Sequence, residues 1–268
     1  MATKLLIYET AVPVSKAKHG EWSVEPGADY GFSRNVNAVP LMAVEFPSAA
    51  AEYAIVFAGT GDEAMPAVIL GVREQENLYL AKEGGWGARY VPAFVRRYPF
   101  VFSSPDEGKT FTLCIDEAFK GFNREGRGER LFDAEGKPSA YVENVLKFLQ
   151  QYQIEFRRTQ AFCRKLKELN LLEPMRAQLT LESGERMALG GFTAVERARL
   201  KTLSAERLAD LARTDELELV YAHLQSLRNF AAMRERMGGA APAAPAAQPK
   251  PEEKERKPAA AEKPSKKR

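Results

Sequence analysis

Tyr53-Ala54-Ile55-Val56-Phe57-Ala58-Gly59 decides the fold class. The run is strand-length, rich in β-branched and aromatic residues, and closed by glycine. Segments of the same kind flank it: LMAVEF from Leu41, AVILGV from Ala67, NLYLA from Asn77, FVFS from Phe100 and FTLCI from Phe111. Gly, Pro, Asn and Asp separate them, which predicts a mostly antiparallel sheet with tight connections over residues 41–116. Pro47 to Glu52 predicts a short helix with Ser48 as cap, and Pro92 to Tyr98 a helical turn. Before the sheet, Pro13, Gly20, Pro26, Gly27, Gly31 and Pro40 punctuate a segment read as a loop, packed down by Trp22, Tyr30 and Phe32.

A Gly-rich break, GFNREGRGERLFDAEGKPS from Gly121, ends the sheet region. Ser139 to Leu171 then carries the strongest helical periodicity, with Tyr141, Val145, Leu149, Tyr152, Phe156, Leu166 and Leu169 on one stripe. One break is allowed for near Arg157 to Gln160, and Pro174 is read as the stop. Met175 to Phe192 reads as a hairpin turning at Ser183-Gly184. Thr193 to Glu196 fits a capping box, Ser204 and Thr214 fit helix caps, and Asp215 to Met237 reads as a last helix. The expected fold is α+β: an antiparallel sheet in the N-terminal half, a long helix, a hairpin and a helical C-terminal region. The expected domain is one unit over 1–237, β-rich in 1–120 and mainly helical in 139–237.

From Gly238 the composition changes to Ala, Pro and Lys without an aromatic or branched aliphatic residue. Residues 238–268 are read as a disordered tail, because nothing there offsets the entropy of ordering. The tail holds eight Lys/Arg against four Glu, so the net charge of +3 belongs to it and the rest is near neutral. Specific nucleic-acid binding by the fold is therefore not expected. The tail is suited to contact acidic partners. Apolar residues make up 45% of the chain, enough for a core, yet no run reaches the roughly 18–20 residues of a membrane helix. The first residues read as a strand and not as a secretory signal, which places the chain in the cytoplasm, or at the cell surface by signal-independent export. Cys114 and Cys163 lack metal spacing and fit a reducing compartment.

Few residues carry chemistry. Two His and two dispersed Cys do not make a zinc or haem site, and no phosphate-binding loop occurs, Gly59-Thr60-Gly61-Asp62 having no suitable helix after it. No cofactor or metal is expected. The candidate ligand-binding residues are Trp86 and Arg89, in the glycine-rich stretch Gly84 to Tyr90, Arg97 of Arg96-Arg97-Tyr98-Pro99-Phe100, and Asp116. Trp86 can stack and Arg97 can grip an anion with two parallel bonds, while Asp116 at a strand end can act as a base. The bland alternatives are a packed turn for Trp86, an internal ion pair for Arg97 and a turn cap for Asp116. His223, in the last expected helix, reads as a surface or hydrogen-bonded core residue and not as a catalyst.

Several short segments together resemble the bacterial SapC-like family. They include Asn37-Ala38-Val39-Pro40-Leu41, the strand from Tyr53, Leu70-Gly71-Val72, Gly85-Trp86, Arg96-Arg97-Tyr98-Pro99-Phe100, Leu113-Cys114-Ile115-Asp116 and Tyr221-Ala222-His223-Leu224-Gln225-Ser226-Leu227. The resemblance implies an association with a bacterial surface layer (S-layer), or with TonB-dependent uptake and tryptophan-halogenase-like proteins. It implies no defined reaction, and it is unrelated to the peptide-transport permease of the same name. Two readings stay open: a non-catalytic binding or interaction module whose partner is another protein or an uptake component, and an enzyme or enzyme accessory acting on an aromatic or peptide substrate around Trp86, Arg97 and Asp116.

Overall fold

The computed structural model describes residues 6–27, 29–59, 63–81, 83–104, 106, 109–180 and 184–237. Thr60, Gly61, Asp62, Leu181, Ser183 and the tail lie outside them. In chain order the elements are β1 (Ala11–Pro13), α1 (Lys16–His19), β2 (Ser23–Val24), β3 (Ala38–Pro40), α2 (Phe46–Ala49), β4 (Ile55–Ala58), β5 (Met65–Ile69), α3 (Ala93–Arg96), β6 (Phe100–Ser103), β7 (Thr112–Asp116), β8 (Phe122–Asn123) and β9 (Glu129–Arg130). There follow α4 (Ala140–Glu168), β10 (Leu172–Thr180), β11 (Arg186–Val195), α5 (Arg197–Lys201), α6 (Ala205–Arg213), α7 (Glu216–Ser226) and α8 (Asn229–Arg236). The fold is α+β, and every strand pair is antiparallel.

The strand that opened the sequence argument is the centre of the largest sheet, ordered β10-β11-β4-β5-β3. Both faces of β4 are covered. Ile55 and Phe57 join one core with Phe162 and Leu166 of α4 and Val220 of α7. Ala54 and Val56 join a second with Leu179, Phe192 and Phe230. That double burial explains why the segment is continuously apolar instead of alternating. Two smaller sheets, β1-β7-β6 and β8-β2-β9, flank the first half of α4 through Phe100, Ile115, Leu131 and Leu149.

Several local expectations are corrected by tertiary contacts. LMAVEF is not a strand: Ala43–Glu45 forms a 3-10 turn leading into α2, because the Glu45 carboxylate folds back to accept the Met42 N–H at 2.8 Å. Ser48 therefore lies inside α2, whose cap position is Glu45. NLYLA makes only an isolated bridge, Leu80 to Trp86. The first forty residues, read as a loop, carry β1, α1, β2 and β3. Helix α4 has no break: Thr159 donates back to the Glu155 carbonyl (2.7 Å) and accepts the Ala43 N–H (2.9 Å), so this polar interruption is a docking point. The helix stops before Pro174, at Asn170 with φ +51°. Pro174 sits in edge strand β10, where a missing donor is tolerated. Strand β11 runs through Thr193 to Val195, and Glu196 itself caps α5 by accepting the Ala198 N–H. Ser204 caps α6 as expected, Ser139 caps α4, and Asp215 and not Thr214 precedes α7.

The expected last helix is split between α7 and α8, and the split has a cause. Strand β11 pairs with β4 only at Phe57 and Ala58, leaving Ile55 without a partner on that side. His223 fills the gap. Its Nε2 accepts the Val195 N–H and its Nδ1 donates to the Ile55 carbonyl, each at 3.0 Å. Ser226 accepts the Ile55 N–H at 3.0 Å and donates to the His223 carbonyl at 2.6 Å. Asn229 donates to the carbonyls of Ala50 and Tyr53, both at 2.8 Å. Among the described residues, no helix is long and apolar enough to cross a membrane.

Burial holds His223 neutral, its pKa pushed down to about 4, with the bond to Ile55 opposing. Unfolded, it titrates near 6.5. Above that pH neither state carries the proton, and the clasp contributes fully. As pH falls from about 6.5 toward 4, only the unfolded chain gains a proton, and stability drops by up to about 1.4 kcal/mol per pH unit. His223→Ala is expected to cost about 3 kcal/mol at pH 7.5, by leaving the Ile55 carbonyl and Val195 amide unmet. The gap to wild type is expected to narrow at pH 5. Urea unfolding of both proteins at the two pH values checks this, and a gap independent of pH contradicts it.

Candidate functional site at Arg96

Trp86 donates through Nε1 to the Tyr53 hydroxyl (2.6 Å), with the Tyr30 ring edge-on at 5.5 Å and the Tyr79 ring parallel at 6.5 Å. The loop around it is clamped through its backbone. The Tyr53 hydroxyl donates to the Tyr90 carbonyl. The Glu52 carboxylate accepts the N–H groups of Arg89 and Tyr90, and Arg236 reaches the Gly87 carbonyl at 3.1 Å. Gly84, at φ +84°, is required: a Cβ there would stand 2.3 Å from Asp29 Oδ1. Arg89 is exposed on this loop.

Arg97 pairs with no carboxylate among the described residues. Its guanidinium lies 4.3 Å from the Phe94 ring centre, 4.9 Å from Tyr152 and 5.6 Å from Tyr8, and its buried Nε lacks an acceptor. Asp116 is fully buried and accepts the N–H groups of Glu9 (2.7 Å), Thr10 (3.2 Å) and Ala118 (3.2 Å), tying the N-terminal segment to the end of β7. Arg97 and Asp116 are brought together around Tyr8. That hydroxyl is pushed up to about 12 by burial, with Arg97 pulling it down and Asp116 adding to the rise. Trp86 and Arg89 stand apart on their loop, and none of the four lines the two cavities that meet at Arg96.

Arg96 is the residue of the Arg-Arg pair that faces open space. Helix α3 is a single turn, so successive side chains diverge: Phe94 and Val95 are buried and Arg96 is exposed. Its Nε donates to the Val91 carbonyl (3.0 Å), and its guanidinium sits 5.5 Å from the Phe148 ring and 5.8 Å from Tyr90. No described carboxylate pairs with it. On one side lies a cavity of about 250 Å³ between the 3-10 turn, α2, α3 and α4, floored by Met42, Ala93, Phe148 and Tyr152. On the other lies a cavity of about 140 Å³ walled by Tyr30, Phe32, Tyr98, Phe119 and Tyr141.

Two nearly buried carboxylates line the larger cavity, and they differ. Glu45 is engaged on both oxygens: Oε1 accepts the Tyr90 hydroxyl (2.6 Å) and the Ala93 N–H (2.8 Å), and Oε2 accepts the Met42 N–H. Burial and the adjoining Glu45 raise the Tyr90 hydroxyl, Arg96 opposing. Glu155 accepts Gln151 (2.7 Å) and Arg158 (3.1 Å) on Oε1 alone, so Oε2 has no protein partner among the described residues.

Arg97 is a sequence candidate, whereas Arg96, Glu45 and Glu155 are not. A usable signal existed. Glu45 interrupts an otherwise apolar run, and Glu155 shares a helical stripe with Tyr152 and Thr159, so both are charges on faces that turn inward.

The remaining nucleophile and base types are engaged or inert. His19 is fully buried, its Nδ1 accepting the Ser15 N–H and its Nε2 donating to Glu117 (2.8 Å). Cys114 and Cys163 are free and buried, and burial pushes the Cys163 thiol up to about 12. Among the described residues no group of three His, Cys, Asp or Glu is gathered for a metal.

An α+β scaffold with an arginine-gated apolar cleft is thus the class of protein that fold and site define. A family model described as SapC matches residues 14–233, and the chain belongs to the SapC family. No curated protein and no solved structure matches it.

Glu45→Ala is expected to lower unfolding free energy by about 3 kcal/mol or more, since three buried donors lose their acceptor. Arg96→Ala is expected to stay within about 1 kcal/mol of wild type, the value of an exposed cation–π contact. Denaturant titration of the two variants checks the contrast, and an equal loss in both contradicts it.

Proposed function

We propose that the chain is a non-catalytic binding module whose ligand occupies the cleft beside Arg96. One observation carries this reading: an exposed arginine, within 5.8 Å of two aromatic ring centres and without a carboxylate partner among the described residues, lines an apolar cavity. Apolar pockets with a few convergent polar groups are the usual form of small-ligand sites. The engagement of His19, His223, Asp116 and Glu45 with partners inside the fold supports binding over catalysis. The setting implied by the family resemblance is a bacterial surface-layer or TonB-dependent uptake system, with the chain acting in the cytoplasm. A second reading, an enzyme or accessory for an aromatic or peptide substrate, draws on Arg97, whose unmatched Nε lies behind the Tyr152 wall of the same cleft.

Ser48 is an exposed lining residue, so Ser48→Phe fills the cleft without disturbing the core. In a saturation-transfer NMR screen of small aromatic and aliphatic acids, amines and alcohols, hits on wild type are expected to vanish in this variant. A hit at ten times its Kd is expected to raise the wild-type Tm by about 4 °C. Hits shared equally by both proteins contradict the cleft as the site.

A further inference from the structure

We infer that the cleft beside Arg96 is a site for a free α-amino acid with a large apolar side chain; this rests on the binding-module reading and names its ligand. Size is the first argument. At about 250 Å³ the cavity falls below the roughly 300–1,000 Å³ of pockets for drug-sized ligands. It suits a molecule of amino-acid size and is too small for a folded partner.

Charge is the second argument. Glu155 is only 9% exposed, yet Oε2 has no partner among the described residues and its one cation, Arg158, is a mostly solvated side chain. That oxygen opens onto the cleft, where a ligand donor can reach it, and a charged donor serves best. Glu45 is less suited to that part, because both its oxygens already accept from Met42, Tyr90 and Ala93. Arg96 presents the opposite need: a guanidinium bonded to the Val91 carbonyl beside two rings, with no carboxylate partner among the described residues. Both line the same cavity as the apolar side chains of Met42, Ala93, Phe148 and Tyr152.

An open acid, an open base and an apolar floor in one small cavity complement an ammonium, a carboxylate and an apolar side chain on one molecule. A plain acid would meet Arg96 but leave Glu155 unmatched beside its apolar body. A plain amine would do the reverse. The zwitterion satisfies both, and its side chain lies over Phe148 and Tyr152.

Isothermal titration of the full chain with L-phenylalanine, L-leucine and L-methionine tests the idea. At least one is expected to bind, and its N-acetyl and carboxamide derivatives are each expected to bind at least about tenfold more weakly, the loss of one charge-assisted contact. Arg96→Ala and Glu155→Gln are expected to weaken the parent amino acid to a similar degree, and the derivatives decide the matter on wild type should either variant be unstable. Equal binding of a blocked derivative overturns the inference. Retention by the carboxamide alone identifies a peptide N-terminus site, and retention by the N-acetyl form alone a C-terminus site. Benzyl alcohol binding as tightly as the best amino acid leaves an uncharged apolar pocket: the binding-module reading survives and this inference does not. If no probe distinguishes wild type from Ser48→Phe, both readings fall.

Discussion

The structure depends on how the backbone of Ile55 is satisfied. Strand β4 is buried on both faces, so an unpaired amide or carbonyl there would be costly. Its neighbour β11 pairs with it at Phe57 and Ala58 and then diverges. His223 spans the divergence between the Ile55 carbonyl and the Val195 amide, and Ser226 takes the Ile55 amide. The imidazole thus replaces a missing rung of the sheet. It is a neutral ring held in one tautomer, because one nitrogen must donate while the other accepts.

That constraint propagates to the cleft. Fixing α7 against β4 fixes the chain that leaves Tyr53, and Asn229 ties down the carbonyls of Ala50 and Tyr53. Glu52 and Tyr53 in turn hold the backbone of Arg89 and Tyr90. Tyr90 and Ala93 then bond to Glu45, which closes the turn before α2. Arg96 stands at the end of this series, stacked on Tyr90 and on Phe148 of α4. A site built this way is held by side-chain hydrogen bonds, most of them to backbone groups, across elements distant in sequence, the kind of support that keeps a binding geometry fixed without ligand.

The two buried glutamates show how similar residues acquire different work. Glu45 is surrounded by three donors and acts as a structural cap. Glu155 faces the same cavity from a helix, with donors on one oxygen only. The difference is not one of residue type or burial. It follows from what the 3-10 turn and α3 bring to Glu45 and what α4 alone brings to Glu155.

The continuous apolar run from Tyr53 determined a buried strand, and the stripe from Tyr141 to Leu169 determined a long helix, because period and composition are properties of the chain alone. The cap at Ser204 was legible for the same reason: its partner lies within one turn. Arg96 and His223 were not, and Glu45 showed only as a charge interrupting an apolar run. Each is defined by groups far away in sequence, and no local pattern distinguishes Arg96 from Arg97 or a clasping histidine from a solvated one. The sequence by itself determined an α+β protein with an apolar strand at its centre and the many short segments that mark its family. Only the tertiary structure decided which arginine faces a cavity and which carboxylate keeps a free oxygen, since both depend on which distant donors and rings the fold delivers.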